Sequence, residues 1–177
     1  METKKTVKLF SVVDWEKEQN YLREMHRQGW KFVRLTALGV YHFEKCEPED
    51  VIYQLDYNAD GLAHKEEYVQ LFADCGWEYL QDYLGYSYFR KSASQTDGAE
   101  EIFCDDASRL QLLERVGRGR MLPMLVIFLC VMLPGLLCSI AQGEGVLAAL
   151  LGIIVGLYIY FFARFFCRYR QIKDRNE

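Results

Sequence analysis

The sequence predicts an α+β domain made of two β-α-β-β units, followed by a two-helix transmembrane hairpin. Two observations predict this class. The N-terminal part contains an internal duplication, whose copies each include a Gly-Trp pair, at Gly29-Trp30 and Gly76-Trp77. Near the C-terminus, two long apolar runs contain no charged side chain. We expect the strands of both units to form one antiparallel sheet with the two helices on one face.

The duplication defines two repeats, at about residues 5–50 and 51–105 of a cytoplasmic domain that spans residues 1–107. In each repeat, helix-spaced apolar residues precede the Gly-Trp pair, and a Leu-Gly pair and an aromatic run follow it. A glycine after the last helical residue is typical of a helix C-cap. A Leu-Gly pair between two strand-like runs indicates a hairpin turn. Each repeat therefore has the order strand, helix, strand, strand.

Three further elements complete the prediction for this domain. The first strand is expected at residues 7–13, with Asp14 as the N-cap of the first helix. One extra strand is expected at residues 101–104. Residues 108–120 are expected to form a juxtamembrane helix or linker that leads into the membrane.

The two apolar runs predict transmembrane helices at residues 121–141 and 146–166, joined by an external turn at 142–145. About 20 apolar residues are needed to cross a bilayer core. Basic residues precede the first run and continue into the tail at 167–177, whereas the turn carries only Glu144. Because basic residues favour the cytoplasmic side, we expect a multi-pass protein of the cell membrane with both termini in the cytoplasm.

Three small residues of the second span, Ala148, Gly152 and Gly156, recur at four-residue spacing. Small residues at this spacing let helix backbones approach closely. They are expected either to pack the two spans against each other or to form a contact with a second copy or another protein.

The composition argues against several functional classes. A net charge of −4 disfavours nucleic-acid binding. The six cysteines include no CxxC pair, so neither a zinc site nor a disulfide framework is indicated. The three histidines are far apart, and no nucleophile motif or phosphate-binding loop is present. The sequence therefore predicts a protein that is not an enzyme.

Five aromatic residues of the predicted strands are candidates for a ligand site: Tyr41, Phe43, Tyr53, Tyr86 and Tyr88. Aromatic residues favour half-buried strands, so ordinary packing explains them. Alternatively, they line a pocket between the two repeats, in which tyrosines offer an apolar wall with a polar end.

A loop after the predicted strand at 51–57 matches a calcium-binding pattern. Its candidate ligands are Asp56, Asn58, Asp60 and Glu67, with Gly61 at the sixth position. A strand precedes this loop instead of a helix, and the same residue types suit an ordinary turn. Apart from this candidate calcium site, no cofactor is expected.

The chain resembles a known bacterial family over about residues 5–107. The blocks at residues 29–45, 53–57 and 76–91, each rich in aromatic residues, resemble the family known as domain of unknown function 2812. The resemblance implies a bacterial membrane protein with a duplicated soluble region and paired hydrophobic segments. Members are often encoded beside PadR-type transcriptional regulators, which implies a role in signalling or stress response. The family carries no assigned activity, so the resemblance implies no functional residues.

We therefore expect a membrane-anchored cytosolic interaction or regulatory module that binds a protein partner. Two alternatives remain at this stage. The domain could be a sensor that binds a small amphipathic ligand between the repeats, since the element order is similar to effector-binding domains of the GyrI type. Otherwise the chain could be an accessory subunit of a transporter or membrane enzyme.

Overall fold

The computed structural model describes residues 2–11, 13–57, 64–95 and 106–176. The chain divides into two compact units, Met1–Ser108 and Arg109–Glu177. We call them the N-terminal unit and the hairpin unit. The first contains the strands and two helices, and the second contains two long apolar helices.

The first repeat contains β1 (Thr3–Val7), α1 (Trp15–Arg27), β2 (Trp30–Thr36) and β3 (Val40–Lys45). The first strand lies earlier than the predicted 7–13. Its partner β3 begins at Val40, which pairs with Val7, so residues beyond Val7 have no strand to pair with. Asp14 precedes α1 as predicted, but its carboxylate forms an ion pair with Lys17 instead of a side-chain cap.

The second repeat contains β4 (Val51–Tyr57), α2 (Lys65–Asp74), β5 (Glu78–Tyr83) and β6 (Tyr86–Ser92). The extra strand predicted at residues 101–104 lies outside the described residues. The order strand, helix, strand, strand is thus present twice.

The α+β class is confirmed, with one three-stranded antiparallel sheet in each repeat. The strand orders are β1-β3-β2 and β4-β6-β5, where the sequence predicts a single sheet. Both β2 and β5 are edge strands, and each has an irregular register at matching positions of the repeat. Such irregularities bend an edge strand and interrupt pairing. Accordingly, the backbone N–H of Leu35 donates to Oε1 of Gln81, at 3.0 Å, and not to a neighbouring strand.

The predicted C-caps are confirmed at both Gly-Trp pairs. Gly29 and Gly76 have φ values of +81° and +80°. This left-handed conformation costs glycine nothing, whereas a side chain would be strained there. The turn after each helix therefore brings the chain back toward its own sheet.

The helices pack on their own sheets through equivalent aromatic pairs. The ring centroids of Tyr21 and Phe43 lie 6.1 Å apart, and those of Tyr68 and Phe89 lie 5.8 Å apart. The opposite face of the second sheet carries Tyr88, which stacks on Phe32 of the first repeat at 5.8 Å. The second sheet is thus covered on both faces. One face packs against α2 through Phe89, and the other faces the first repeat through Tyr88.

The first part of the hairpin unit consists of three α-helical segments, of which the first begins just before the unit boundary: α3 (Asp106–Val116), α4 (Leu122–Ile127) and α5 (Leu133–Ala141). Wide π-helical turns at Gly117–Met121 and Phe128–Met132 join them. Each turn ends two residues before a proline, Pro123 or Pro134. A proline lacks the N–H and its ring crowds the carbonyl of the preceding turn, which a widened turn relieves. The second helix, α6, spans Gly145–Asn176.

Both helices are long and apolar enough to cross a membrane. The candidate spans are Leu110–Ala141 and Gly145–Asp174, and the most apolar 18-residue stretch of each has a mean hydropathy of 2.6 or 2.5. Only 6% and 0% of their most apolar stretches are buried. Core helices of soluble proteins are mostly buried, so these exposed surfaces indicate that the protein associates with a membrane.

Candidate functional site

The aromatic residues singled out in the sequence are core residues. Tyr41, Phe43, Tyr53 and Tyr88 are each only 1–2% exposed. Their rings surround Phe32, with centroid distances of 5.8–6.3 Å. These side chains therefore fill the space between the repeats themselves.

Tyr86 lies apart from that group and packs against Tyr57, with ring centroids 5.4 Å apart. It is 6% exposed. The five residues therefore form no shared open wall, and the packing argues against the predicted aromatic ligand pocket. The strands contain many aromatic residues because a strand buried on both faces needs apolar side chains on each face.

A buried carboxylate links the two repeats. Glu18 of α1 is 7% exposed, and its Oε1 accepts hydrogen bonds from the hydroxyls of Tyr41, at 2.6 Å, and Tyr88, at 2.7 Å. Tyr41 lies on β3 and Tyr88 on β6, so one oxygen receives a donor from each sheet. Burial raises the pKa of Glu18, although the two hydroxyl hydrogen bonds oppose this rise.

One open site between the repeats is a polar cleft of about 450 Å³. We call it the inter-repeat cleft. The first repeat and the β3–β4 connection supply His26, Lys31, Cys46, Glu47 and Glu49. The second repeat supplies Val51, Gly76, Glu78, Arg90, Lys91 and Ser92. Three basic and three acidic side chains face this space, so its lining is formally balanced apart from His26.

Several of these groups are paired within the protein. The Arg90 guanidinium donates from Nε and Nη2 to the two carboxylate oxygens of Glu78, at 2.6 and 2.5 Å. This pairing lowers the pKa of Glu78. The Lys91 ammonium donates to the carbonyl of Cys75 at the end of α2, at 3.0 Å. The Ser92 hydroxyl donates to Glu49.

A hydrogen-bonded chain reaches the cleft through His26. The backbone N–H of Phe32 donates to the Tyr53 oxygen, and this oxygen lies 2.8 Å from His26 Nδ1. Burial raises the pKa of Tyr53 to about 12, so its hydroxyl keeps its proton at neutral pH. Burial and the charge of Arg90 lower the pKa of His26, so its ring is neutral under the same conditions.

Next to the cleft, one aspartate is held by two arginines. Arg23 and Arg27 of α1 each donate two hydrogen bonds to the Asp50 carboxylate, at 2.7–3.0 Å. These bonds hold the pKa of Asp50 far below its usual range. The segment that joins the repeats is thereby fixed to the first helix.

The structure tests only part of the predicted calcium loop. Asp56 is 3% exposed and accepts a hydrogen bond from the Tyr68 hydroxyl at 2.8 Å. Glu67 is exposed on α2, while Asn58 and Asp60 lie outside the described residues. Among the residues that the structure describes, no group of three or more metal-ligating side chains is present.

The small residues of α6 leave open space on the helix surface. Within the described chain, a Cβ added at Gly152 or Gly156 would meet no heavy atom within 4 Å. The two apolar helices instead meet elsewhere, for example where Phe128 stacks on Tyr158 at 5.8 Å. Within the described hairpin, these two glycines therefore do not contact the first span closely. Ala148 is half-buried on the same helix.

Comparison with protein-family models matches residues 14–129 to the family described as Protein of unknown function (DUF2812). The chain belongs to the DUF2812 family. The resemblance seen in the sequence is thus confirmed, and the DUF2812 match runs from the start of α1 through the second repeat into the first apolar helix. No curated protein and no solved structure matches the chain.

The sequence did not reveal which groups of this DUF2812 protein meet in the cleft. Glu18 looks like an ordinary charged residue of an amphipathic helix, and His26 has no metal-binding neighbour in sequence. One signal was available for Glu18: an acidic residue that lies three or four positions from the apolar Trp15 and Leu22 falls on the buried helix face. Nothing local marks Lys31 or Arg90, because they lie on strands of different sheets and only the tertiary fold brings them to one cleft.

Proposed function

We propose that the protein is a membrane-anchored interaction module with a regulatory role, whose N-terminal unit binds a protein partner through the inter-repeat cleft. The observation that carries this proposal is the contrast between the two sites. The aromatic residues between the repeats are packed against one another, whereas the polar cleft is open and lined with charged groups. Polar, open surfaces of this kind suit reversible contacts with another protein.

The distribution of charge supports a cytoplasmic N-terminal unit. The basic residues that flank the apolar spans are Arg115, Arg118, Arg120, Arg164, Arg168, Arg170, Lys173 and Arg175. The turn between the helices contains Glu144 and no basic residue. By the positive-inside rule, both termini lie in the cytoplasm and the turn lies outside. The partner then reaches the cleft from the cytosol or from the inner membrane surface.

A photocrosslinking experiment in intact membranes tests the proposal. A photoreactive residue at Glu47, in the cleft, is expected to give a discrete adduct with one protein. The matched control is the same residue at Glu66, an exposed acid on α2 outside the cleft. No adduct from position 47, or the same adducts from both positions, would contradict a partner site in the cleft.

A second candidate, an accessory subunit of a larger membrane complex, is favoured by the open face at Gly152 and Gly156. A second copy of the chain or another membrane protein could pack on this face, because small residues permit close helix contact. The same crosslinking experiment separates the candidates. Gly156→Leu is expected to leave the Glu47 adduct intact if the partner binds the cleft, and to remove it if α6 recruits the partner.

A further inference from the structure

The position of the ring proton on His26 indicates which kind of ligand group the cleft can bind. The Tyr53 oxygen accepts a hydrogen bond from the N–H of Phe32 at 3.3 Å. With this donor on the oxygen, we assign the Tyr53 hydroxyl proton to the contact with His26 Nδ1, 2.8 Å away. Nδ1 is then the acceptor, and the ring proton of the neutral His26 is on Nε2. His26 lines the cleft, where 5% of the residue remains exposed, and this N–H is the ring donor on the side away from Tyr53.

Two charged groups of opposite sign also face the same cleft. Among the described residues, no carboxylate lies within 4 Å of the Lys31 ammonium, and no basic group lies within 4 Å of the Glu47 carboxylate. By contrast, Arg90 and Glu78 form an ion pair with each other. The cleft therefore presents one positive and one negative charge that form no ion pair within 4 Å, although the Lys31 charge also helps to lower the pKa of Glu78.

We propose that the inter-repeat cleft binds a group that carries both a carboxylate and an ammonium ion. The carboxylate is accepted by the Lys31 ammonium and the His26 Nε2–H, and the ammonium is bound by Glu47. The cleft volume of about 450 Å³ lies in the range of ligand pockets, and it accommodates an amino acid or a short charged peptide segment. This inference rests on the proposed function, since it names the chemistry that the partner presents at the same site.

A ligand with both charges fits better than an anion or a cation alone. A simple anion would meet Glu47 and Glu49, and a simple cation would meet Lys31 in a site where Arg90 and Lys91 are also basic. Like charges placed together across an interface are unfavourable, whereas complementary charges fix both orientation and specificity. A ligand that carries both signs meets the opposite charge at each end.

Calorimetric titration of the full-length protein in detergent micelles tests this inference. The probes are Lys-Glu blocked at both ends, the equivalent blocked Gln-Gln, and free glutamine. Blocked Lys-Glu carries both charges on side chains, free glutamine carries both on its backbone, and blocked Gln-Gln carries neither. We expect saturable binding of Lys-Glu and none of Gln-Gln. Lys31→Gln and Glu47→Gln are each expected to weaken binding about tenfold.

Matched variants distinguish an effect of the cleft on binding from a general effect of surface charge. Lys5→Gln and Glu66→Gln remove the same charges outside the cleft and are expected to leave binding unchanged. The single exchanges Lys31→Glu and Glu47→Lys are each expected to abolish binding. The double exchange restores both charges in reversed positions, and it is expected to recover binding because a flexible ligand can reverse its direction. Equal binding of Gln-Gln, or no effect of either cleft variant, would overturn the inference.

The free amino acid distinguishes failure of this inference from failure of the proposed function. If free glutamine binds and blocked Lys-Glu does not, the cleft recognises the same two charges on a small molecule, and this result would count against a protein partner. If neither charged probe binds while the Glu47 photoadduct persists, the partner proposal stands and the charge-pair inference is wrong.

Discussion

Replacing Phe32 with alanine is expected to lower the free energy of unfolding of the N-terminal unit by about 4 kcal/mol. Phe32 is fully buried, and its ring contacts aromatic rings from both sheets. Removing it leaves a cavity at the point where the repeats meet. Phe→Ala changes in cores have large costs because the surrounding side chains relax only in part.

Tryptophan fluorescence during urea denaturation measures this effect in the full-length protein. All three tryptophans, Trp15, Trp30 and Trp77, lie in the N-terminal unit, so the signal does not report on the apolar helices. The control is Val33→Ala, at the adjacent position of β2, where the side chain is 37% exposed. It is expected to cost less than about 1 kcal/mol. A similar small loss for Phe32→Ala would contradict a shared core between the repeats.

Glu18→Ala is expected to lower the same free energy by about 3 kcal/mol. The substitution removes the oxygen that accepts hydrogen bonds from Tyr41 and Tyr88, and it leaves two buried hydroxyls without this acceptor. A buried donor that loses its partner costs about 1–3 kcal/mol. Glu18→Gln keeps a carbonyl oxygen as acceptor and is expected to cost less. Glu24→Ala, at an exposed position of the same helix, is the control.

Glu18 is also expected to make stability depend on pH. Burial raises its pKa in the folded state, so the folded protein holds this proton more tightly than the unfolded chain does. Stability from this group therefore falls as pH rises between the ordinary pKa of a glutamate and the raised pKa of Glu18. Asp50 acts in the opposite direction at lower pH, since its pKa is lowered. The difference between wild type and Glu18→Gln isolates the Glu18 contribution, and identical pH profiles of the two proteins would contradict it.

Local patterns in the sequence predict much of this fold. The repeated Gly-Trp pairs predict both helix ends, because a left-handed residue after a helix favours glycine whatever the tertiary structure. The apolar runs predict the two long helices for an equally local reason. The separation into two sheets depends instead on how β2 and β5 meet, with Leu35 bonded to the Gln81 side chain. That contact joins residues far apart in the sequence, and no local pattern encodes it.

The candidate site was predicted less well than the fold. Tyr41, Tyr53 and Tyr88 attract attention as aromatic residues, yet each directs its hydroxyl to an internal partner. Aromatic content alone does not distinguish a packed core from a pocket wall, since both need rings with polar ends. The charged groups of the cleft, such as Lys31 and Glu47, are residue types that ordinarily cover any surface. Only the three-dimensional arrangement places them around one space.

The measurement that tests the membrane-anchored cytosolic module most directly is the labelling of single cysteines in intact cells with a membrane-impermeant maleimide. In a chain whose other cysteines are replaced, Cys75 reports on the N-terminal unit, where it is exposed. A cysteine in place of Glu144 reports on the turn between the apolar helices. We expect position 144 to react in intact cells and Cys75 to react only after permeabilisation. Labelling of Cys75 in intact cells would place the cleft outside and contradict a cytosolic partner.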